Sequence, residues 1–110
     1  MMRAMPAPRT HAPSISCVMP AYNEAANLPR VVPQVLQALR ALSPQVELIV
    51  VDDGSRDDTA AVARALCAQH AELVFVQLSR NFGKEAALTA GLDAAQGEVV
   101  ALIDADGQHP

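Results

Sequence analysis

The densest chemistry in the chain is the segment Asp104-Ala105-Asp106-Gly107-Gln108. Its two carboxylates and the amide oxygen of Gln108 recur at every second residue. They are hard oxygen donors suited to Mg2+ or Mn2+. A turn carrying solvated acids is the plain alternative, and position separates the two. The preceding residues, 99–103, are continuously apolar, and carboxylates crowded at the end of a buried strand repel unless a cation or a proton intervenes. A second polar segment, Ser79-Arg80-Asn81-Phe82-Gly83-Lys84, carries two cations that could hold a phosphate or could simply be solvated surface. Two more follow apolar runs: Pro20-Ala21-Tyr22-Asn23-Glu24 and Asp52-Asp53-Gly54-Ser55. A metal, acids and a few cations together point to a nucleoside diphosphate. With five glycines in the chain, there is no Gly-x-Gly-x-x-Gly after the first strand and no Gly-x-x-x-x-Gly-Lys-[Ser/Thr], which disfavours dinucleotide and P-loop chemistry.

These segments must be positioned by the elements between them. Apolar runs at 15–19, 46–51, 73–78 and 99–103 read as buried strands, the first ended by Pro20. Leu28, Val31, Val32, Val35, Leu36, Leu39 and Leu42 recur at helical spacing, with Asn27 as N-cap, Pro29 tolerated in the first turn and Pro33 expected to kink or restart the helix. Asp57 or Asp58 would cap a second helix with Val62, Ala65 and Leu66 facing inward. A third helix spans 84–95 and stops near Gly97. The result is β-α-β-α-β-α-β, an α/β fold with a parallel, Rossmann-like, doubly wound sheet and an expected strand order of 3-2-1-4. Ligands of such sheets bind beyond the carboxyl ends of the strands, and all four polar segments fall on that rim. The other rim holds Ser43, Pro44, His70, Ala71 and Gly97, which are ordinary turn and cap residues.

Composition sets the limits. The 110 residues are 51% hydrophobic and 18% charged with a net charge of −4, which excludes a disordered tail, a collagen-like repeat and a disulfide scaffold. The acidic balance argues against nucleic-acid binding. Aromatics make up 3% and Trp is absent, so the core must be aliphatic. Cys17 and Cys67 read as reduced thiols. No signal peptide is visible, and no apolar run is long enough to span a bilayer. Residues 1–13, with Pro6, Pro8 and Pro13, read as a disordered leader, and 14–110 as the folded part.

The segments Val18-Met19-Pro20-Ala21-Tyr22-Asn23-Glu24, Val50-Val51-Asp52-Asp53-Gly54-Ser55-Arg56-Asp57 and Asp104-Ala105-Asp106 resemble glycosyltransferase family 2. With Leu78 to Glu85 and Ile103 to Pro110 the chain is similar to the polyprenyl-phosphate branch, the dolichyl-phosphate mannosyltransferases and undecaprenyl-phosphate glucosyltransferases. The resemblance covers about residues 14–110. It implies a GT-A fold and an inverting transfer of a hexose from UDP- or GDP-sugar to a polyprenyl phosphate, at the cytoplasmic face of a membrane. It implies that Pro20, Tyr22 and Glu24 line the nucleoside pocket, with Val51 and Lys84 also at the nucleotide sugar, and that Asp53 holds the base. Asp104, Ala105 and Asp106 would contact the ribose, diphosphate and metal (Mg2+ or Mn2+). Asp106 and Gln108 would be direct metal ligands, with Asp104 bridging.

In that family the acceptor site, the catalytic residues, further strands and membrane helices lie beyond the Asp-x-Asp loop. The chain is therefore expected to be the donor-binding, N-terminal half of a GT-A domain, unable to complete transfer alone and marginally stable, with no catalytic residue of its own. Two alternatives remain. Leu102-Ile103-Asp104-Ala105-Asp106-Gly107 also resembles the first motif of haloacid-dehalogenase-type phosphatases, with Asp104 as nucleophile and Asp106 as acid/base; that reading leaves the Tyr22-Asn23-Glu24 and Asp52-Asp53 segments unexplained. The other alternative is a non-catalytic nucleotide-binding remnant.

Overall fold

The apolar runs and the amphipathic segments alternate in space as they do along the chain. The computed structural model describes residues 12–105. Within it lie β1 (Ile15–Ala21), α1 (Leu28–Leu42), β2 (Val46–Asp52), α2 (Thr59–Gln69), β3 (Leu73–Gln77), α3 (Lys84–Ala94) and β4 (Val99–Leu102). The strands form one parallel sheet, as the alternation implied, in the expected order β3-β2-β1-β4.

The period-two geometry of the strands sorts the core into two layers. Met19, Leu48 and Val50 turn to one face, where they meet Leu28, Val32 and Leu36 of α1 and Ala63 and Leu66 of α2. Val18, Ile49 and Val51 turn to the other, against Ala87 of α3. Gly91 lets α3 approach closely, since a Cβ there would sit 2.2 Å from Val18 Cγ1. Moving outward twice in the same direction puts α1 and α2 on one face; the return across β1 to β4 puts α3 on the other.

Several local expectations are corrected. Pro20 does not end β1, which continues to Ala21 opposite Asp52. Ala21 O accepts from Asp53 N on the β2 side and Val18 O accepts from Ile103 N on the β4 side. Pro20 therefore turns its missing N–H toward β4, where the register stops at Val18–Leu102, and no ladder bond is lost. Pro33 does not restart α1, which runs unbroken through it; Pro29, whose carbonyl loses its donor, is exposed and can be hydrated. Asn27 occupies the N-cap position in helical dihedrals and makes no capping bond; its amide donates to Glu24 Oε1 at 2.7 Å. Of the two acids expected to cap α2, Asp58 occupies the N-cap position without a side-chain bond, while Asp57 Oδ1 accepts from Thr59 N, the first N–H of the helix, at 2.9 Å. In α2 the buried positions are Thr59, Ala63 and Leu66, while Ala65 is exposed, because the buried stripe starts at Thr59. Leu42 is 64% exposed. Val99, Val100 and Leu102 are also exposed; among the described residues β4 pairs on one side only.

Both cysteines are free, and burial pushes the Cys17 thiol up to about 11, so it stays protonated and unreactive.

At the amino rim, one carboxylate ties three segments together. Glu47 Oε2 of β2 accepts from the hydroxyl of the fully buried Ser16 in β1 and, at 2.7 Å, from Gln96 N in the α3–β4 connection. Gly97 N in turn donates to Ser16 Oγ at 2.7 Å. Removing the shared acceptor leaves the buried Ser16 hydroxyl without one while the exposed Gln96 N–H turns to water, so Glu47→Ala is expected to cost about 1 kcal/mol. A urea melt checks this, and ligand binding at the opposite rim should stay unchanged.

Candidate functional site

Four connections leave the carboxyl ends of the strands, and each is shaped by its own sequence. After β1, Asn23 adopts φ 55°, a left-handed conformation that Asn tolerates better than most residues. After β2, the Asp52 carboxylate accepts from Ser55 N at 3.0 Å, closing an Asx-type turn, and Gly54 takes φ 68°. After β3, Arg80 stacks over the Phe82 ring, 4.7 Å from its centroid, and Gly83 at φ 105° delivers Lys84 as the first residue of α3. After β4, Asp104 pairs with Lys84, Oδ1 to Nζ at 2.7 Å.

These connections enclose a cavity of about 140 Å³ lined by Pro20, Ala21, Tyr22, Glu24, Asp53, Lys84, Asp104 and Ala105. Seven sequence-predicted positions thus come together from four separate connections. Such a volume is below the roughly 300–1,000 Å³ of pockets that enclose a whole small molecule, so the cavity cradles one part of a ligand. A second, more apolar cavity of about 260 Å³ shares Pro20, Lys84 and Asp104 and adds Leu88, Leu102 and Ile103.

The remaining predicted positions fall elsewhere. Val51 is fully buried in β2, in the layer against α3, and does not line the cavity. Asp106 and Gln108 lie outside the described residues. Arg80 is stacked on Phe82 and is not in the cavity wall.

The buried Asp53 is committed to protein. Its Oδ1 accepts from Phe82 N at 2.9 Å and Gly83 N at 3.3 Å. Its Oδ2 accepts from Gly83 N at 3.1 Å and Asn81 Nδ2 at 3.4 Å. The same Asn81 amide donates to Asp53 O at 3.2 Å. The carboxylate thereby ties down the connection that ends in Lys84. Its neighbour Asp52 is fully buried, and its Oδ2 has no hydrogen-bond partner among the described residues.

Side chains whose linking role the sequence does not single out join the first two connections. Asn23, Ser55, Asp57 and Thr59 contribute bonds between them. Hydrogen bonds from Thr59, and from the backbone N–H groups of Thr59 and Ala25, hold the Asp57 carboxyl below its ordinary range. The available signals were local: Asn is the non-Gly residue that best accepts a left-handed turn, and Asp52 with Ser55 three residues on is turn-forming.

Chemically, the cavity sets the carboxylates of Glu24, Asp53 and Asp104 against the single ammonium of Lys84 among its lining residues. That balance suits an anion accompanied by a cation better than a bare anion. Carboxylate oxygen at the rim is the donor type hard divalent cations prefer. Among the described residues, no group of three or more His, Cys, Asp or Glu gathers as a metal site.

The sequence model of Glycosyl transferase family 2 matches residues 16–110. The undecaprenyl-phosphate 4-deoxy-4-formamido-L-arabinose transferase of Aeromonas hydrophila is 42% identical over 97 residues, 87% of this chain and 30% of that protein. An uncharacterized glycosyltransferase of Synechocystis sp. is 45% identical over 96 residues, with 87% and 30% covered. Among solved structures, a mannosyltransferase from Pyrobaculum calidifontis in complex with GDP-Man and Mn2+ superposes with a TM-score of 0.80 at 30% identity, covering 92% of this chain and 30% of that one. S. aureus TarS in complex with UDP has the same fold, at a TM-score of 0.71 and 24% identity over 84% of this chain and 27% of its own. The chain thus spans about a third of the length of the relatives it matches.

Proposed function

The chain belongs to glycosyl transferase family 2, and from that premise we propose that it provides the nucleotide-sugar pocket of an inverting, metal-dependent hexosyltransferase whose acceptor is a polyprenyl phosphate. The observation that carries the reading is the convergence of Pro20, Tyr22, Glu24, Asp53, Lys84, Asp104 and Ala105 on one cavity at the carboxyl rim. A relative named for undecaprenyl phosphate and a structural neighbour holding GDP-Man and Mn2+ support the acceptor and donor classes. Family membership sets aside the phosphatase alternative.

In this reading Pro20, Tyr22 and Glu24 form the nucleoside wall. Asp53 faces the base while its carboxylate holds the neighbouring connection, and Val51 backs the wall from within the sheet. Asp104 and Ala105 face the ribose and diphosphate, and Lys84, already at Asp104, is within the same cavity to pair with a phosphate oxygen. Mg2+ or Mn2+ would be held by Asp106 and Gln108 together with Asp104, and would supply neutralisation of the charge that develops on the departing diphosphate. The protein's own part is to orient the donor so that its anomeric carbon is open to the acceptor. With a lipid-borne acceptor, the whole protein works at the cytoplasmic face of a membrane; among the described residues no helix is long and apolar enough to cross one.

Calorimetry tests the pocket. GDP or UDP is expected to bind with Mn2+ or Mg2+ present and at least about tenfold more weakly in chelator, and Asp104→Asn to lose about as much, the loss of one charged contact. Failure of both nucleotides to bind with either cation overturns the reading. The acceptor is tested separately, by transfer from GDP- or UDP-hexose to polyprenyl phosphate.

A further inference from the structure

We infer that Asn23 is a positioning residue, clasping the β1–α1 connection to the β2–α2 connection so that Tyr22 and Glu24 are presented to the nucleoside before it arrives. This rests on the nucleotide-sugar reading and deepens it. Tyr22 and Glu24 line the cavity; Asn23 does not. Among the described residues, Asn23 is the one non-glycine with a positive φ, 55°, an unfavourable conformation that persists where the surroundings enforce it and that concentrates at functional sites.

What enforces it is a set of bonds to residues far along the chain. Asn23 N donates to Ser55 Oγ at 2.8 Å. Asn23 Oδ1 accepts from Arg56 N at 2.9 Å and from Asp57 N at 3.4 Å. Ser55 is itself anchored, its N–H donating to the carboxylate of the buried Asp52. On the far side of the turn, Glu24 N donates to Thr59 Oγ1 at 2.8 Å and Ala25 N to Asp57 Oδ2 at 3.3 Å. Neither Ser55, Asp57 nor Thr59 lines the cavity. Tyr22 is 41% exposed, so packing alone does not hold it, and its fixed placement comes from the bonds made by the next residue. A wall ordered in advance spares the ligand the entropy of ordering it.

Tyr22 is the single tyrosine of a chain without tryptophan, so tyrosine fluorescence reports on this site alone. In the ligand-free chain, Asn23→Ala is expected to lower Tyr22 anisotropy, and in calorimetry with Mn2+ to weaken GDP or UDP binding about tenfold or more, with far-UV circular dichroism unchanged. Ser55→Ala, which removes the acceptor of Asn23 N–H, is expected to act in the same direction. Asn23→Asp, which keeps the acceptor and tolerates the left-handed turn, is expected to restore anisotropy and affinity to within about threefold of wild type. A merely structural role would move the melting midpoint and leave the folded variant's anisotropy and affinity where they were. Should wild type bind neither nucleotide, the nucleotide-sugar reading falls and takes this inference with it. Should wild type bind while Asn23→Ala matches it in affinity and anisotropy, or while Asn23→Asp falls as far as Asn23→Ala, the reading stands and the inference alone is overturned.

Discussion

Replacing Gly54 by alanine is expected to destabilise the protein by roughly 4 kcal/mol, in the range reserved for a few named mechanisms. Two of them act together here. Gly54 sits at φ 68°, which side chains resist, and a Cβ on it would meet Arg80 C at 2.1 Å, Asn81 N at 2.3 Å and Arg80 Cα at 2.7 Å. Those are backbone atoms and cannot rotate aside. Relief requires the β2–α2 and β3–α3 connections to part, which breaks the bonds from Phe82 N and Gly83 N to Asp53 and moves Lys84 away from the cavity. Gly83 is the internal control: its φ is 105° but a Cβ there meets nothing within 4 Å, so Gly83→Ala should cost only the conformational part, about 1–2 kcal/mol. Urea unfolding of both variants checks the difference; equal midpoints would show that close approach at Gly54 is not what holds the two connections together.

Asp53→Asn is expected to be nearly as damaging as Asp53→Ala, although it is isosteric. Both carboxylate oxygens of Asp53 accept from N–H groups, those of Phe82, Gly83 and Asn81. An asparagine must aim its own N–H2 at one side of that set, placing donor against donor in a buried position and discarding the charge-assisted bonds. The expected cost is about 3 kcal/mol, with at least about tenfold weaker nucleotide binding, since the displaced connection carries Lys84. Asp52→Asn should behave differently. Its oxygen can still accept from Ser55 N, and its amide nitrogen would take the place of Oδ2, which has no partner among the described residues; a change within about 1 kcal/mol is expected. Paired urea melts and calorimetry decide it: a tolerated Asp53→Asn would mean that the carboxylate is not what organises the β3–α3 connection.

The contrast between these adjacent acids shows where sequence reading stops. Asp52-Asp53 is visible in the sequence as an acidic pair at the end of a buried strand, and the structure sets it at the carboxyl end of β2. Which oxygen meets which donor depends on Asn81, Phe82 and Gly83, some thirty residues away, and no local spacing encodes that meeting. The same holds for the clasp between Asn23 and Ser55. Helix ends fared similarly: Asn27 and Asp58 have capping chemistry and occupy N-cap positions, yet neither makes the bond, because Asn27 is engaged with Glu24 and Asp57 reaches Thr59 N instead, at 2.9 Å.

The sequence by itself determined the order of elements, their association in a parallel sheet, and the rim at which polar residues collect. Those follow from period, run length and the handedness of crossovers, properties of segments read one at a time or in succession. The order β3-β2-β1-β4 matches the expectation, but doubly wound sheets also adopt another order. Only the tertiary structure decided that Pro20 could remain inside a strand, that α2 buries Ala63 and exposes Ala65, and that Asp53 serves the β3–α3 connection while Asp52 serves the turn at Ser55. Each of those depends on which atoms of distant segments arrive within about 3 Å of one another, a distance at which hydrogen bonds form or fail and which the packing of the whole sheet sets.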